Sequence, residues 1–307
     1  MFLRETKTFR DSVHGYIKIP VDYVENFIDS EVFQRLRNIE QTGMRTLYPS
    51  ARHDRFIHSL GTYFLGHKAF ESFKHNVYRS YHNVKDKIDH YMVFNDPDKN
   101  EKFWDKCRLL FEIACLLHDC GHAPFSHTLE FHYDTPVAGF QSLTDKLKDC
   151  NGSNEFQRDF RDQGSPHERM SALIVCTDFQ FKIEALCKKY GLDNIDIGTP
   201  TEFIVRMIIG CEYSDHSEIH QIMNCLISLL NSKSVDVDSL DYIIRDAKLS
   251  GIDNMSIDVD RLLGSFTLIE TTEFVNCDFR GRDISGNIIN GELNKLNKNQ
   301  DQAEFDG

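Results

Sequence analysis

Two short stretches fix where helices begin. In "SPHE" (165–168) a Ser is followed by Pro and, three residues after the Ser, by Glu; "TPTE" (199–202) repeats the device. Proline's fixed φ and missing N–H suit the first helical position, and the cap and Glu side chains together satisfy backbone N–H groups that a helix start leaves unpaired. Each stretch therefore predicts a capping box. Other segments carry the helical period. "SEVFQRLRNIE" (30–40) opens on a Ser cap and spaces Phe33, Leu36 and Ile39 helically. "HSLGTYFLGHKAFESF" (58–73) follows, then "EKFWDKCRLLFEIACLLHD" (101–119), with Trp104, Cys107, Phe111 and Ala114 among its buried positions. Two more helices are expected at 216–231 and 238–249, the last stopped near Gly251. Strand patterns are thin, so the chain is expected to be all-α.

The character changes after residue 268. "FTLIETTEFVNCDF" suits a strand or two, and "NGELNKLNKNQDQAEFDG" reads as a disordered tail. The expected layout is one domain over 1–268, with polar, turn-rich insertions or lids at 82–100 and 133–164, and a small irregular or β appendage over 269–307. The length of 307 residues allows a substantial core, and 23 Phe argue against disorder over most of the chain. A net charge of −13 argues against non-specific binding to nucleic acid, which depends on neutralising phosphates. It does not exclude a small anion held by a local basic pocket or a metal. No apolar run approaches the ~20 residues of a membrane span, and "MFLRETKTFR" lacks the apolar segment of a signal peptide. Nine cysteines with no C-x-x-C spacing suit reduced thiols and a cytoplasmic location. There is no P-loop or G-x-G-x-x-G.

The chemistry concentrates in "LLHDCGHAPFSH" (116–127), where three imidazoles and a carboxylate follow an apolar run. His118 and Asp119 lie about 100° apart on the last helical turn. Gly121 and Pro124 break the helix beyond it, freeing both side chains to face one point. Two polar residues at a solvated helix end would look the same locally, but His122 and His127 add titratable groups that a solvated end does not need. In "HDRFIHSLG" (53–61), His58 taken alone suits a cap or surface histidine as well as a ligand. In "DVDSLDYIIRDAKLSG" (236–251), a helical wheel puts Asp238, Tyr242, Arg245 and Asp246 on one face and Leu240, Ile243, Ile244 and Ala247 opposite. That pattern also fits an amphipathic surface helix capped by Asp238.

Taken together, these pieces resemble the H…HD…D signature of the HD-domain metal phosphohydrolase superfamily. "FRDSVHGYIKIP", "FQRLRNIEQTG", "RFIHSLG", "LLHDCGHAPFSH", "PHE" and "VDVDSLDYIIRD", in that order over residues 7–260, look like its deoxynucleoside triphosphate triphosphohydrolase branch, of the sterile-alpha-motif and HD-domain type. The resemblance implies a multi-helix HD fold with His58, His118, Asp119 and Asp238 as ligands of one divalent metal. An imidazole and carboxylate set suits Fe, Mn, Ni, Co or Zn, with Mg also open. The implied reaction is hydrolysis of a dNTP at the α-phosphorus, giving deoxynucleoside and triphosphate.

By the same resemblance His127 is the general acid, with Glu130 and His167 beside it to orient it, and His122 contacts phosphate or positions water. Arg55 binds phosphate, Gln41 and Asp246 meet the sugar 3′ hydroxyl, and Tyr242 packs where a 2′ hydroxyl would sit. Lys7, Asp29, Gln34 and Arg37 match a guanine-nucleotide activator site tied to oligomer assembly, although a salt-linked helix pair explains them equally well. Ser239 stands where the family has a lysine. The family's further substrate contacts beyond the HD core have no counterpart here, which points to a homo-oligomer or partner subunit completing the pocket. The competing expectations are an HD phosphohydrolase acting on a monophosphate or signalling nucleotide, and a non-catalytic nucleotide sensor acting with a partner.

Overall fold

The computed structural model describes residues 5–42, 47–82, 93–94, 96–135, 137, 139–215, 217–233, 235–252, 257–266, 279–282 and 288–291. Two compact units divide the chain, Met1–Phe266 and Thr267–Gly307. The first is a helical assembly. Its helices are α1 (Val21–Tyr23), α2 (Glu31–Gln34), α3 (Arg55–His82), α4 (Pro97–Leu117), α5 (Leu143–Cys150), α6 (Asn154–Asp159), α7 (Pro166–Ile174), α8 (Gln180–Lys189), α9 (Pro200–Ile209), α10 (Glu218–Leu230), α11 (Val237–Ser250) and α12 (Val259–Leu263). In the second unit, strands Phe279–Arg282 and Ile288–Gly291 pair antiparallel. The strand expected over 266–279 and the polar tail lie almost wholly outside the described residues, as does most of 82–100.

The architecture is all-α, as expected, with one addition. Residues Thr6–Asp11 (β1) and Gly15–Pro20 (β2) form an antiparallel hairpin in register from Thr6↔Pro20 to Asp11↔Gly15. Six-residue strands are short enough for their alternation to be lost among flanking polar residues. Ile17 and Ile19 on one face are fully buried, and Gly15 takes the positive φ of +82° that the turn requires.

Two helices form the centre. From Phe103 to Leu117, α4 is buried nearly all round, and α9 buries Phe203, Ile204, Val205, Met207, Ile208 and Ile209. A helix apolar on every side belongs in a core. The two pack on each other; α3 and α10 also cover α4, α7 packs on α9, and α11 packs on α3. The α4 start is set by Asp96, whose carboxylate accepts from the N–H of Asp98 (2.9 Å), with Pro97 at the first position.

The expected cap at Ser30 forms, accepting from Phe33 N–H at 3.3 Å, but the predicted 30–40 helix tightens to 3-10 geometry from Arg35. At Ser165 the capping box forms, with Ser165 N–H donating to Glu168. At Thr199 it does not. Helix α9 starts there, but the Glu202 carboxylate turns to the fully buried Arg206 instead, accepting from its Nε at 2.9 Å. A guanidinium sealed from water needs a carboxylate more than a helix start does. The 133–164 segment carries α5 and α6, which anchor Leu147, Phe156 and Phe160 in the interior.

Candidate metal centre and the adjoining imidazoles

The α3 N-terminus, the α4 C-terminus and the first turn of α11 meet at one point. His58 stands in the first turn of α3. His118 and Asp119 follow the last residue of α4, where the helix gives way to a turn closed by His122 N–H donating to Asp119 O. Asp238 comes from α11, whose cap is not Asp238 but Asp236, accepting from Ser239 N–H at 2.7 Å. With the cap supplied two residues earlier, Asp238 is free to face inward.

The four donors converge. His58 Nε2 lies 3.3 Å from His118 Nε2 and 2.9 Å from Asp238 Oδ1; His118 Nε2 lies 3.4 Å from Asp238 Oδ1 and 3.7 Å from Asp119 Oδ1. Asp119 Oδ2 is 3.8 Å from His58 Nε2. Donors about 2.1 Å from a common ion sit roughly 3 Å apart when adjacent; His58, His118 and Asp119 form a group that could hold one cation, and Asp238 borders it through both imidazoles. The outer nitrogens of both rings are engaged: His118 Nδ1 with the Cys115 carbonyl (2.9 Å), His58 Nδ1 with Asp241 (2.7 Å). Such contacts fix the tautomer that offers Nε2 inward.

The electrostatics ask for a cation. Burial disfavours a charged His58, yet Asp238 and Asp241 outweigh it and hold the ring up at about 10. Burial also works against Asp119, but Arg55 and the neighbouring imidazoles keep its carboxyl well below the usual range.

A second cluster adjoins the first through Asp119. Glu130 Oε1 lies 2.6 Å from His127 Nδ1 and 2.8 Å from His167 Nδ1. His122 stacks on His167 with ring centroids 4.0 Å apart. It is fully buried and neither ring nitrogen has a hydrogen-bond partner; burial pushes it down to about 2, so it is neutral near pH 7. His127 by contrast is open to solvent, its side chain 65% exposed. It follows Phe125 and Ser126, both at positive φ (66° and 54°), a conformation costing non-glycine residues about 1–3 kcal/mol each. That turn delivers Ser126 Oγ to Arg55 Nη2 at 2.5 Å.

Arg55 is buried and also donates to Asp119 Oδ2 at 2.5 Å, with Nη2 3.2 Å from His127 Nε2. It therefore links the two clusters from within. Gln41, expected beside Asp246 at the sugar, is near it: Gln41 N–H donates to His53 O (3.0 Å), and His53 Nε2 is 2.5 Å from Asp246 Oδ1. Gln41 Oε1 is buried without a hydrogen-bond partner. Tyr242 lies on the outer side of α11 and is 38% exposed.

The expected faces of α11 need correction. Arg245 and Asp241 are fully buried, while Ile243 is among the exposed apolar residues. Asp241 and Arg245 turn inward to meet His58, His14 and Asp11, while Tyr242 stays outside and Leu240 and Ala247 are buried as expected. Lys7, Asp29, Gln34 and Arg37 lie in one neighbourhood: Lys7 Nζ is 3.9 Å from Asp29, Arg37 Nε donates to Gln34 Oε1 (2.9 Å), and Gln34 Nε2 donates to Ile28 O (2.8 Å).

Sequence reasoning missed several supports. Arg35 donates to the carbonyls of Cys120 (2.6 Å) and His122 (2.7 Å), holding the turn after Asp119. Gly121 N–H donates to Ser171 Oγ at 2.8 Å, and a Cβ at Gly121 would lie 2.2 Å from Ser171 N, so only glycine lets α7 come this close. Asp241 and His14 complete the set. Arg35 and Asp241 stand inside quoted motifs, but no local pattern marks them as supports.

An all-α fold that brings His, His-Asp and Asp from three helix ends to one point defines an HD-domain protein. No family model matches the chain. Among curated proteins it is 30% identical over 249 residues to a deoxynucleoside triphosphate triphosphohydrolase SAMHD1 homolog of Dictyostelium discoideum, covering 81% of this chain and 37% of that protein. It is 30% identical over 281 residues to deoxynucleoside triphosphate triphosphohydrolase SAMHD1 of Gallus gallus, covering 85% of this chain and 37% of that one. The chain thus spans well under half the length of these two relatives. A phosphohydrolase from Bacteroides thetaiotaomicron shares the fold, with a TM-score of 0.50, 24% identity and coverage of 87% of this chain and 47% of that one. The chain is an HD-domain protein similar to these deoxynucleoside triphosphate triphosphohydrolases over 81% and 85% of its own length. No helix among the described residues is long and apolar enough to cross a membrane.

Proposed function

We propose that the chain is a metal-dependent phosphohydrolase that cleaves deoxynucleoside triphosphates at the α-phosphorus, giving deoxynucleoside and triphosphate. One juxtaposition carries the reading. Four convergent metal donors lie beside an imidazole–carboxylate–imidazole relay, His127–Glu130–His167, and Asp119 and Arg55 touch both.

His58, His118, Asp119 and Asp238 hold the ion, and their donor types suit Fe, Mn, Ni, Co or Zn, or Mg. The bound ion supplies Lewis acidity, polarising a phosphoryl oxygen and acidifying water. The rest falls to the protein. Cleavage at the α-phosphorus expels the sugar 5′ oxygen, which needs a proton to leave. His127 is open to substrate and clasped at Nδ1 by Glu130; Nε2, which lies 3.2 Å from Arg55 Nη2 here, would exchange that neighbour for the substrate oxygen to deliver the proton. His167, on the other side of Glu130, holds the carboxylate in place. His122, buried in the second cluster and stacked on His167, is assigned to position phosphate or water. Arg55 offers its fork to phosphate oxygens next to His127. Gln41 and Asp246 meet the 3′ hydroxyl, and Tyr242 excludes a 2′ hydroxyl. Lys7, Asp29, Gln34 and Arg37 form a nucleotide-responsive surface, with a partner subunit completing the pocket.

The test is the full chain with Mn, Mg or Fe and each dNTP, products resolved by chromatography, with Asp119→Ala as the inactive control. Triphosphate release supports the reading. Orthophosphate or pyrophosphate would instead identify a phosphohydrolase of different specificity, and metal binding without turnover a nucleotide sensor. Glu130→Gln should lower turnover by about 10²–10⁴-fold while leaving metal content intact. Comparable turnover of GTP and dGTP would refute the role given to Tyr242.

A further inference from the structure

The hairpin β1–β2 reaches the metal centre through a closed network of buried charge. Asp241 has no exposed surface, and its carboxylate takes four hydrogen bonds: from His58 Nδ1 (2.7 Å), His14 Nε2 (2.6 Å), Arg245 Nε (2.8 Å) and Arg245 Nη2 (2.9 Å). Arg245 gives two further hydrogen bonds to Asp11, at 3.0 Å and 2.9 Å. Asp11 in turn accepts from the N–H of Val13 (3.1 Å) and of His14 (3.4 Å), so it shapes the turn that presents His14. Gly61 of α3 leaves room for this packing, since a Cβ there would fall 2.0 Å from Asp241 Oδ1.

We propose that His14, Asp11 and Arg245 are positioning residues of the metal centre, acting through Asp241 to fix the orientation and donor strength of His58. The proposal rests on the metal-dependent reading above. Burying an Arg between two carboxylates is a costly way to seat a hairpin whose Ile17 and Ile19 are already buried in the core. The network ends on the outer nitrogen of a metal-facing imidazole, where a carboxylate sets the tautomer and strengthens the ligand. Asp11 and Asp241 against Arg245 leave a net negative charge behind His58, which favours a cation in front of it. The hairpin is therefore a strut of the metal centre, and residues more than 200 positions apart in sequence act on one ligand.

The test is Mn²⁺ binding to the metal-stripped full chain, followed by calorimetry well below the unfolding temperature, with Co²⁺ absorption as a probe of ligand geometry. His14→Gln and Asp11→Asn should weaken Mn²⁺ binding by about 10–100-fold and alter the Co²⁺ spectrum. Tyr16→Ala, on the same hairpin but exposed and outside the network, should leave both unchanged. Should Asp11→Asn fail to fold, His14→Gln decides, because it keeps the Asp241–Arg245–Asp11 core. Wild-type Mn²⁺ affinity and an unaltered Co²⁺ spectrum in His14→Gln would overturn the proposal alone. If the unmodified chain bound no divalent ion, the metal-dependent reading would fall, and this proposal with it.

Discussion

Replacing Gly61 by Ala pits two effects of opposite sign against each other. Gly61 lies inside α3, where Ala is favoured by about 1 kcal/mol. On propensity alone the variant would be more stable. The added Cβ, however, would sit 2.0 Å from Asp241 Oδ1, 2.3 Å from Arg245 Nη2 and 2.7 Å from Asp241 Cγ. Normal contact lies near 3.5 Å, so the carboxylate would have to retreat by roughly 1.5 Å. That distance breaks its short hydrogen bonds to His58, His14 and Arg245. Breaking a buried ion pair costs about 3–5 kcal/mol, which exceeds the helical gain. The expected net loss is about 2–4 kcal/mol, or roughly 4–16 °C in thermal midpoint for a unit near this size. Urea titration and thermal melts of the metal-free protein read the stability, and Mn²⁺ titration reads the ligand. Gly61→Ala should lower both. A variant as stable as the parent, with unchanged Mn²⁺ affinity, would refute the claim that Asp241 is tightly confined and coupled to His58.

Two further outcomes follow from the packing and the charges. Phe156 is fully buried, stacks on Phe160 at 5.2 Å and lies under the Arg206 guanidinium, so Phe156→Ala should cost about 3–5 kcal/mol in urea unfolding; a loss under 1 kcal/mol would mean that the 133–164 segment is not anchored there. The hydrogen bond that His67 Nδ1 donates to the Glu112 carboxylate, at 2.8 Å, raises His67 above its ordinary 6.5. A group raised on folding adds stability in full below its unfolded value and loses it as pH climbs through the folded one. Stability should therefore decline from about pH 6.5 upward by a component that His67→Gln removes, and an identical pH profile for the two proteins would refute the assignment.

What the sequence determined by itself is local. Ser165-Pro166 with Glu168, Ser30 and Gly251 mark helix ends because caps and left-handed stops depend on a few neighbouring residues. The apolar density of 101–119 likewise announced a core helix, and the ordered run of motifs announced the HD family. The sequence also carried the four metal donors, though as an expectation from resemblance. Tertiary structure decided everything that needed segments to meet. Whether His58, His118, Asp119 and Asp238 face one point depends on how α3, α4 and α11 pack, and no window of sequence encodes that. The same packing moved the α11 cap to Asp236, turned Asp241 and Arg245 of that helix inward, and gave Glu202 to Arg206 instead of to a capping box. It also brought His14 and Asp11 to a helix more than 200 residues away. A buried charge takes the best partner within reach, and reach is fixed by how the helices cross.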